Sequence, residues 1–123
     1  MIDLIAHTQS RTVKPSGEEE LVTIGVSLPT QQPTGEFGCG VVLPDSPEPR
    51  IIYGADSLQA LSLALRFIAE RIDDMISKGW KFHYGDSSDR FPFEAYFMTA
   101  AWTQELESIA KKYRRRTEDE DSH

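Results

Sequence analysis

Leu21, Val22, Ile24 and Val26 follow one another closely between Glu20 and Leu28, a run rich in β-branched side chains that Pro29 stops. Such a run predicts a β-strand. Met1 to Val13 alternates more loosely, with Ile2, Leu4, Ala6 and Thr8 set against Asp3, His7, Gln9 and Arg11, and reads as an earlier strand. Lys14 to Glu19 is the turn between them, and Pro29 to Gly35 is a polar loop punctuated by Pro and Gly. Phe37, Cys39 and Val41 lie at period two, so Glu36 to Leu43 is a third strand, in which Gly38 and Gly40 mark a bulge or a close approach of another backbone. Pro44, Pro47 and Pro49 make the next connection irregular, and Arg50 to Tyr53 supplies a short fourth strand.

At Asp56 the period changes. Asp56 is placed as an N-cap with Gln59 three residues on, the Asx and Gln version of a capping box, in which both side chains satisfy otherwise unpaired backbone donors. Leu58, Leu61, Leu65, Ile68, Ile72 and Met75 or Ile76 then recur at helical spacing, while Gln59, Ser62, Arg66, Glu70, Asp73 and Ser77 form a polar stripe. A helix from Ser57 to Lys78 follows, closed by Gly79 with Trp80 placed to pack back in a Schellman-type cap. Lys81 to Tyr84 is a possible extra strand, and Gly85 to Asp89 is a turn-rich loop. Met98, Trp102, Leu106, Ile109 and Tyr113 again recur at helical spacing, so a second helix is predicted to run to about Arg116, starting between Glu94 and Thr103.

Strands joined by short turns pair antiparallel, leaving one sheet face for the long helix to cover. The expected fold is therefore α+β: an antiparallel meander of four or five strands packed by one long helix, with a second C-terminal helix. A length of 123 residues suits one domain, taken as residues 1–116, with 117–123 an acidic tail expected to be disordered.

Composition removes several function classes. Cys39 is the only cysteine, so neither an internal disulfide nor a Cys-based zinc site is available within the chain. No basic segment followed by an apolar run opens the sequence, so no secretory signal is expected. The most apolar stretch, Leu58 to Ala69, is interrupted by Gln59, Ser62 and Arg66 and falls short of the roughly 20 residues of a membrane span. A cytoplasmic location fits these features. The net charge is −7, and residues 1–110 alone carry 16 acidic and 8 basic side chains, because Lys111 to Arg116 concentrates the positive charge at the end. Such a body repels nucleic acid and attracts basic partners, although net negative charge is also an ordinary route to solubility.

Each candidate for chemistry has a plainer structural reading. Cys39 between two glycines could expose a thiol, but catalysis needs a base, and His7 and His83 would have to converge on it from separate elements. A core cysteine in register with Phe37 and Val41 is the more economical reading. Glu70, Asp73 and Asp74 lie within about one helical turn, a spacing that could grip a cation, yet Arg66 and Arg71 sit among them and no histidine completes a site. The spaced glycines of Gly35 to Gly40 lack the Lys-Ser/Thr of a phosphate loop. The basic turn at Lys111 to Arg116 is offset by the acidic tail that follows it. No catalytic set, metal site or cofactor is predicted. The expected partner-binding residues are Glu70, Asp73, Asp74, Asp86 and Asp89, with Phe93 and Tyr96 as aromatic anchors inside a charged rim.

Tyr53-Gly54-Ala55-Asp56-Ser57-Leu58-Gln59-Ala60-Leu61, followed by the apolar helix, Gly79-Trp80 and an Asp-rich loop before Phe91-Pro92, resembles a family of small bacterial proteins with an antiparallel sheet and one long helix. These are similar in size and acidity to the immunity proteins that neutralise toxins of interbacterial competition. The resemblance spans the middle third of the chain and brings no catalytic residues, and the basic-ended second helix departs from it. It implies a protein partner, no nucleic acid and no membrane, for a monomer or homodimer that blocks a cognate toxin by stoichiometric binding. An adaptor or chaperone for a secreted or phage-encoded client has the same sequence attributes. An enzyme built on Cys39 is the third reading, and it requires a reactive thiol.

Overall fold

The computed structural model describes residues 3–85, 87–96 and 111–112. Two long strands, β1 (Leu4–Val13) and β2 (Glu19–Ser27), form a hairpin in register from Val13 opposite Glu19 to Ala6 opposite Val26. Gly17 allows the turn, its φ of 91° lying in the left-handed region. A two-residue strand β3 (Thr30–Gln31) and β2 both pair with β4 (Phe37–Val42), whose other edge takes β5 (Arg50–Gly54). After the helix α1 (Ser57–Ser77), β6 (Lys81–Tyr84) joins the far side of β1. All pairings are antiparallel, so the architecture is the α+β arrangement expected, with six strands ordered β5, β4, β2 with β3, β1, β6.

Two features differ from the sequence expectation. Thr30 and Gln31, read as loop, are paired, because β3 prolongs β2 along the same edge of β4 after an interruption at Leu28 and Pro29. From Gly25 to Thr30 the chain advances five residues while the facing β4 advances four, from Val42 to Gly38, so one extra residue bulges there. Ser27 repairs the ladder: its hydroxyl accepts the Gly40 N–H at 2.7 Å, and the Cys39 thiol donates to the Ser27 carbonyl at 3.3 Å. The second difference is β6, which does not extend the meander but returns to the opposite edge beside β1. Phe91 N–H then donates to the Phe82 carbonyl, so the chain after the loop runs back along β6.

α1 begins and ends as its sequence dictates. Asp56 Oδ1 accepts the Gln59 N–H at 2.8 Å, and Gln59 Oε1 reaches back to the Ala55 N–H at 2.6 Å, one residue before the donor of the usual box. At the far end Trp80 N–H donates to Met75 and Gly79 N–H to Ile76, a Schellman closure with Gly79 at φ 101°. The helix lies across β4 and β5 and touches β2. Its small residues Ala60 and Ala64, with Ile68, Ile72 and Met75, join Ile24, Val26, Cys39 and Val41 from the sheet, and Leu43 just after β4, in one buried cluster. Phe82, Phe91 and Phe93 complete the core, Phe82 and Phe93 meeting edge to face with ring centroids 5.1 Å apart. Leu58, placed in the apolar set by its spacing, is 72 % exposed, since the start of the helix turns Ala60 and Ala64 to the core instead. The predicted second helix and the acidic tail lie outside the described residues except for Lys111 and Lys112, which are helical.

Candidate protein-interaction surface

On α1 the acidic residues sit among their own cations. Glu70 pairs with Arg66 at 3.1 Å, and Asp74 pairs with Lys78 at 2.9 Å and Arg71 at 3.3 Å, while Arg71 also holds Asp45 at the start of the loop before β5. The Lys78 hydrogen bond, with Lys78 and Arg71 charge around it, holds the Asp74 carboxyl below its ordinary value. An arriving cation would exchange with one already present, and exposed ion pairs contribute only about 0–1 kcal/mol each. Asp73 is half-buried on the same helix. Asp89 is exposed in the loop after β6, where its N–H donates to the Ser87 hydroxyl. Asp86 lies outside the described residues. Tyr96 is 50 % exposed against Phe91, with ring centroids 5.1 Å apart. Phe93, expected as an exposed anchor, is a core residue at 2 % exposure, since it closes the sheet end against Phe82 and Phe91. Phe93 therefore belongs to packing and not to a rim.

Cys39 is fully buried, and burial pushes its thiol above the ordinary range, partly opposed by the Ser27 hydrogen bond. That is the opposite of the depressed pKa of a nucleophilic thiol. His83 instead places Nδ1 3.2 Å from the Ser88 carbonyl, fixing the loop after β6. Among the described residues no group of three His, Cys, Asp or Glu side chains is placed to hold a metal ion, and no helix is long and apolar enough to cross a membrane.

Exposed apolar side chains occur on several elements, among them Leu21, Leu28 and Leu58, and on β5 they lie beside a sheet edge. This strand pairs with β4 on one edge, and among the described residues nothing pairs with the other. Because Ile52 pairs with Cys39 on the helix side, Ile51 and Tyr53 point to the outer face, where they are 45 % and 50 % exposed. They lie over the glycines of β4: a Cβ added at Gly38 would meet Ile51 Cγ2 at 2.8 Å and Tyr53 Cε1 at 3.4 Å. Gly38 thus makes room for side chains of the neighbouring strand, where the sequence reading expected a bulge or another backbone. On the helix side Arg50 stacks its guanidinium 5.7 Å from the Phe67 ring centroid. Leu63, one turn before Phe67 on the same helix face, is 38 % exposed. Apolar groups therefore flank the free edge on both sides. Exposed Glu48 precedes the strand and exposed Asp56 follows it, the latter's carboxylate accepting the Gln59 N–H of α1.

Sequence reasoning passed over Ile51 and Tyr53 as plain strand residues. The available signal was their continuity: Ile51, Ile52 and Tyr53 are apolar on both faces, whereas a strand covered on one face alternates with polar residues. Two grooves of about 260 Å³ each lie farther off. One runs between Leu65 and Ile68 of α1 and Ala6 to Thr8 of β1, with Tyr96 at its wall, and the other opens between Trp80, Phe82 and Arg90.

Residues 9–92 match a protein family described as a domain of unknown function, DUF6968, and the match runs from within β1 to the residue before the Phe93–Ala95 turn. No curated protein and no solved structure matches the chain. Since the match covers well over half of the sequence, this chain belongs to the DUF6968 family.

Proposed function

We propose that the chain is a non-catalytic protein-binding domain, a bacterial immunity-type protein of the cytoplasm that neutralises a cognate toxin by stoichiometric binding. The observation that carries the binding role is the edge of β5, unpaired among the described residues, with Ile51 and Tyr53 half-exposed beside it. Soluble proteins ordinarily blunt sheet edges with charge, proline or cover; on β5 proline and charge stand only at the start, at Pro49 and Arg50, and Ile51 and Tyr53 remain half-exposed along the rest, which supports a surface for a partner. The immunity role is supported by the acidic body, small size and the resemblance carried by Tyr53 to Leu61. An adaptor for a client protein shares the binding role and differs in what becomes of the partner.

The test is capture of partners on the tagged protein from the native organism, washed at high salt, with the partner-to-bait ratio measured by mass spectrometry. The captured protein is then expressed with and without this chain. A single partner at one-to-one ratio, toxic alone and harmless in the complex, is the expected result. Several clients, or one whose export and not its toxicity depends on the chain, would replace immunity by the adaptor role. Capture of no protein at all would overturn both.

A further inference from the structure

Resting on the protein-binding reading, we propose that β5 receives an extended segment of the partner as an additional strand, and that the segment carries basic residues at both ends of an apolar-alternating centre. Strand addition follows from the backbone. The edge of Arg50 to Gly54, unpaired among the described residues, offers a row of N–H and C=O groups that a facing strand satisfies, with alternate side chains of the incoming strand meeting Ile51 and Tyr53 on one face and Phe67 and Leu63 on the other. The opposite edge of the sheet is closed off differently, since β6 is bridged at His83 by Arg90 of the returning chain.

Charge selects the occupant. Glu48 and Asp56 bracket the strand at its two ends, and neither is in an ion pair with another described residue. Arg50, the one cation within the strand, is turned to the helix side over Phe67. A second copy of this chain is thereby disfavoured: two β5 strands paired antiparallel end to end place Glu48 of each against Asp56 of the other, like charges at both ends. A segment with Lys or Arg at its ends and apolar residues between meets the same positions with opposite charge.

The probe is a synthetic nine-residue peptide, Lys-Thr-Val-Thr-Val-Thr-Val-Thr-Lys, matching the span from Glu48 to Asp56, compared with the same peptide ending in Glu. Amide shifts of the 15N-labelled full chain are followed during titration. The expected result is saturable shifts concentrated on Arg50 to Gly54, binding about fivefold tighter for the Lys-ended peptide, and loss of that preference in Glu48→Lys. Shifts absent from β5, or equal affinity for both peptides, would overturn the proposal. Concentration-dependent shifts of β5 without peptide would assign the edge to a second copy and overturn it equally. If a captured partner protein binds Glu48→Lys and Tyr53→Thr as tightly as the parent chain, the strand-addition proposal fails while the protein-binding function stands.

Discussion

Gly54→Ala tests the junction on which both the fold and the free edge depend. Gly54 ends β5 against the first turn of α1, and a Cβ there would lie 2.8 Å from Ala60 Cα and 2.9 Å from the Gln59 carbonyl carbon, closer still to the Ala60 nitrogen. All three are backbone atoms, so no side chain can swing aside. Gly54 is not among the residues with positive φ, which leaves the collision as the whole effect. Overpacking of this kind costs about 1–3 kcal/mol. Displacing the first turn also strains the Asp56 cap, whose loss is worth about 1 kcal/mol. The two together are on the order of 3 kcal/mol, and with a urea m-value of about 1.5 kcal/mol/M the midpoint falls by about 2 M. Urea unfolding followed by tryptophan fluorescence and by circular dichroism provides the measurement, with an unchanged m-value expected. A midpoint shift under about 0.3 M would mean that α1 does not start against β5, and the packing argument would fall with it.

Other substitutions probe separate parts of the structure. Ser27→Ala removes the acceptor of the Gly40 N–H inside the β2–β3 bulge and should cost about 1–3 kcal/mol in urea unfolding; a cost within error would mean that the amide finds another partner. Asp56→Ala should lose about 1 kcal/mol by the same assay, and Asp56→Ser should restore most of it, whereas equal loss in both would argue against a capping role. Cys39 in the folded chain should react with iodoacetamide far more slowly than in urea; comparable rates would contradict its burial. Because burial raises the folded-state thiol pKa above the ordinary 9.0, this group's contribution to stability is fully present below that value. It is lost as pH rises through the folded-state pKa, so stability should decline in the alkaline range for the parent and less for Cys39→Ala.

What could be read from the sequence was whatever a local period or cap decides. The α1 boundaries, Asp56 and Gln59 at its start and Gly79 with Trp80 at its end, follow from side chains within four residues of the backbone groups they satisfy. The burial of Cys39 was legible from its register with Phe37 and Val41. The β2–β3 bulge was not, because its stabilising contact joins Ser27 to Gly40 across the sheet. Phe93 misled for a similar reason: nothing in Arg90 to Tyr96 tells which aromatic turns back onto Phe82, a residue of the neighbouring strand. The acidic residues of α1 were found correctly as a stripe, but the partners that neutralise it include Arg71, whose bond to Asp45 spans 26 residues.

That neutralisation bears on where a partner meets this chain. Net charge is a property of composition, and it attracts a basic partner from a distance without choosing a docking place. The place is chosen by groups that gain from contact, and those of the α1 stripe at Glu70 and Asp74 already have their gains. β5 is in the reverse condition. Its inner side is tied down by Ile52 against the core, by Arg50 over Phe67 and by Gly54 against Ala60, so the strand is ordered before anything arrives. Its outer edge has no strand partner among the described residues and carries half-exposed Ile51 and Tyr53. Ordering an interface segment costs about 0.5–1.5 kcal/mol per immobilised side chain, and on this edge only the incoming strand bears that cost. In the proposed binding role the acidic surface supplies the approach and the preformed edge the attachment, so substitutions at Glu48 should change the rate of encounter as well as its outcome, while those at Tyr53 should act on dissociation alone.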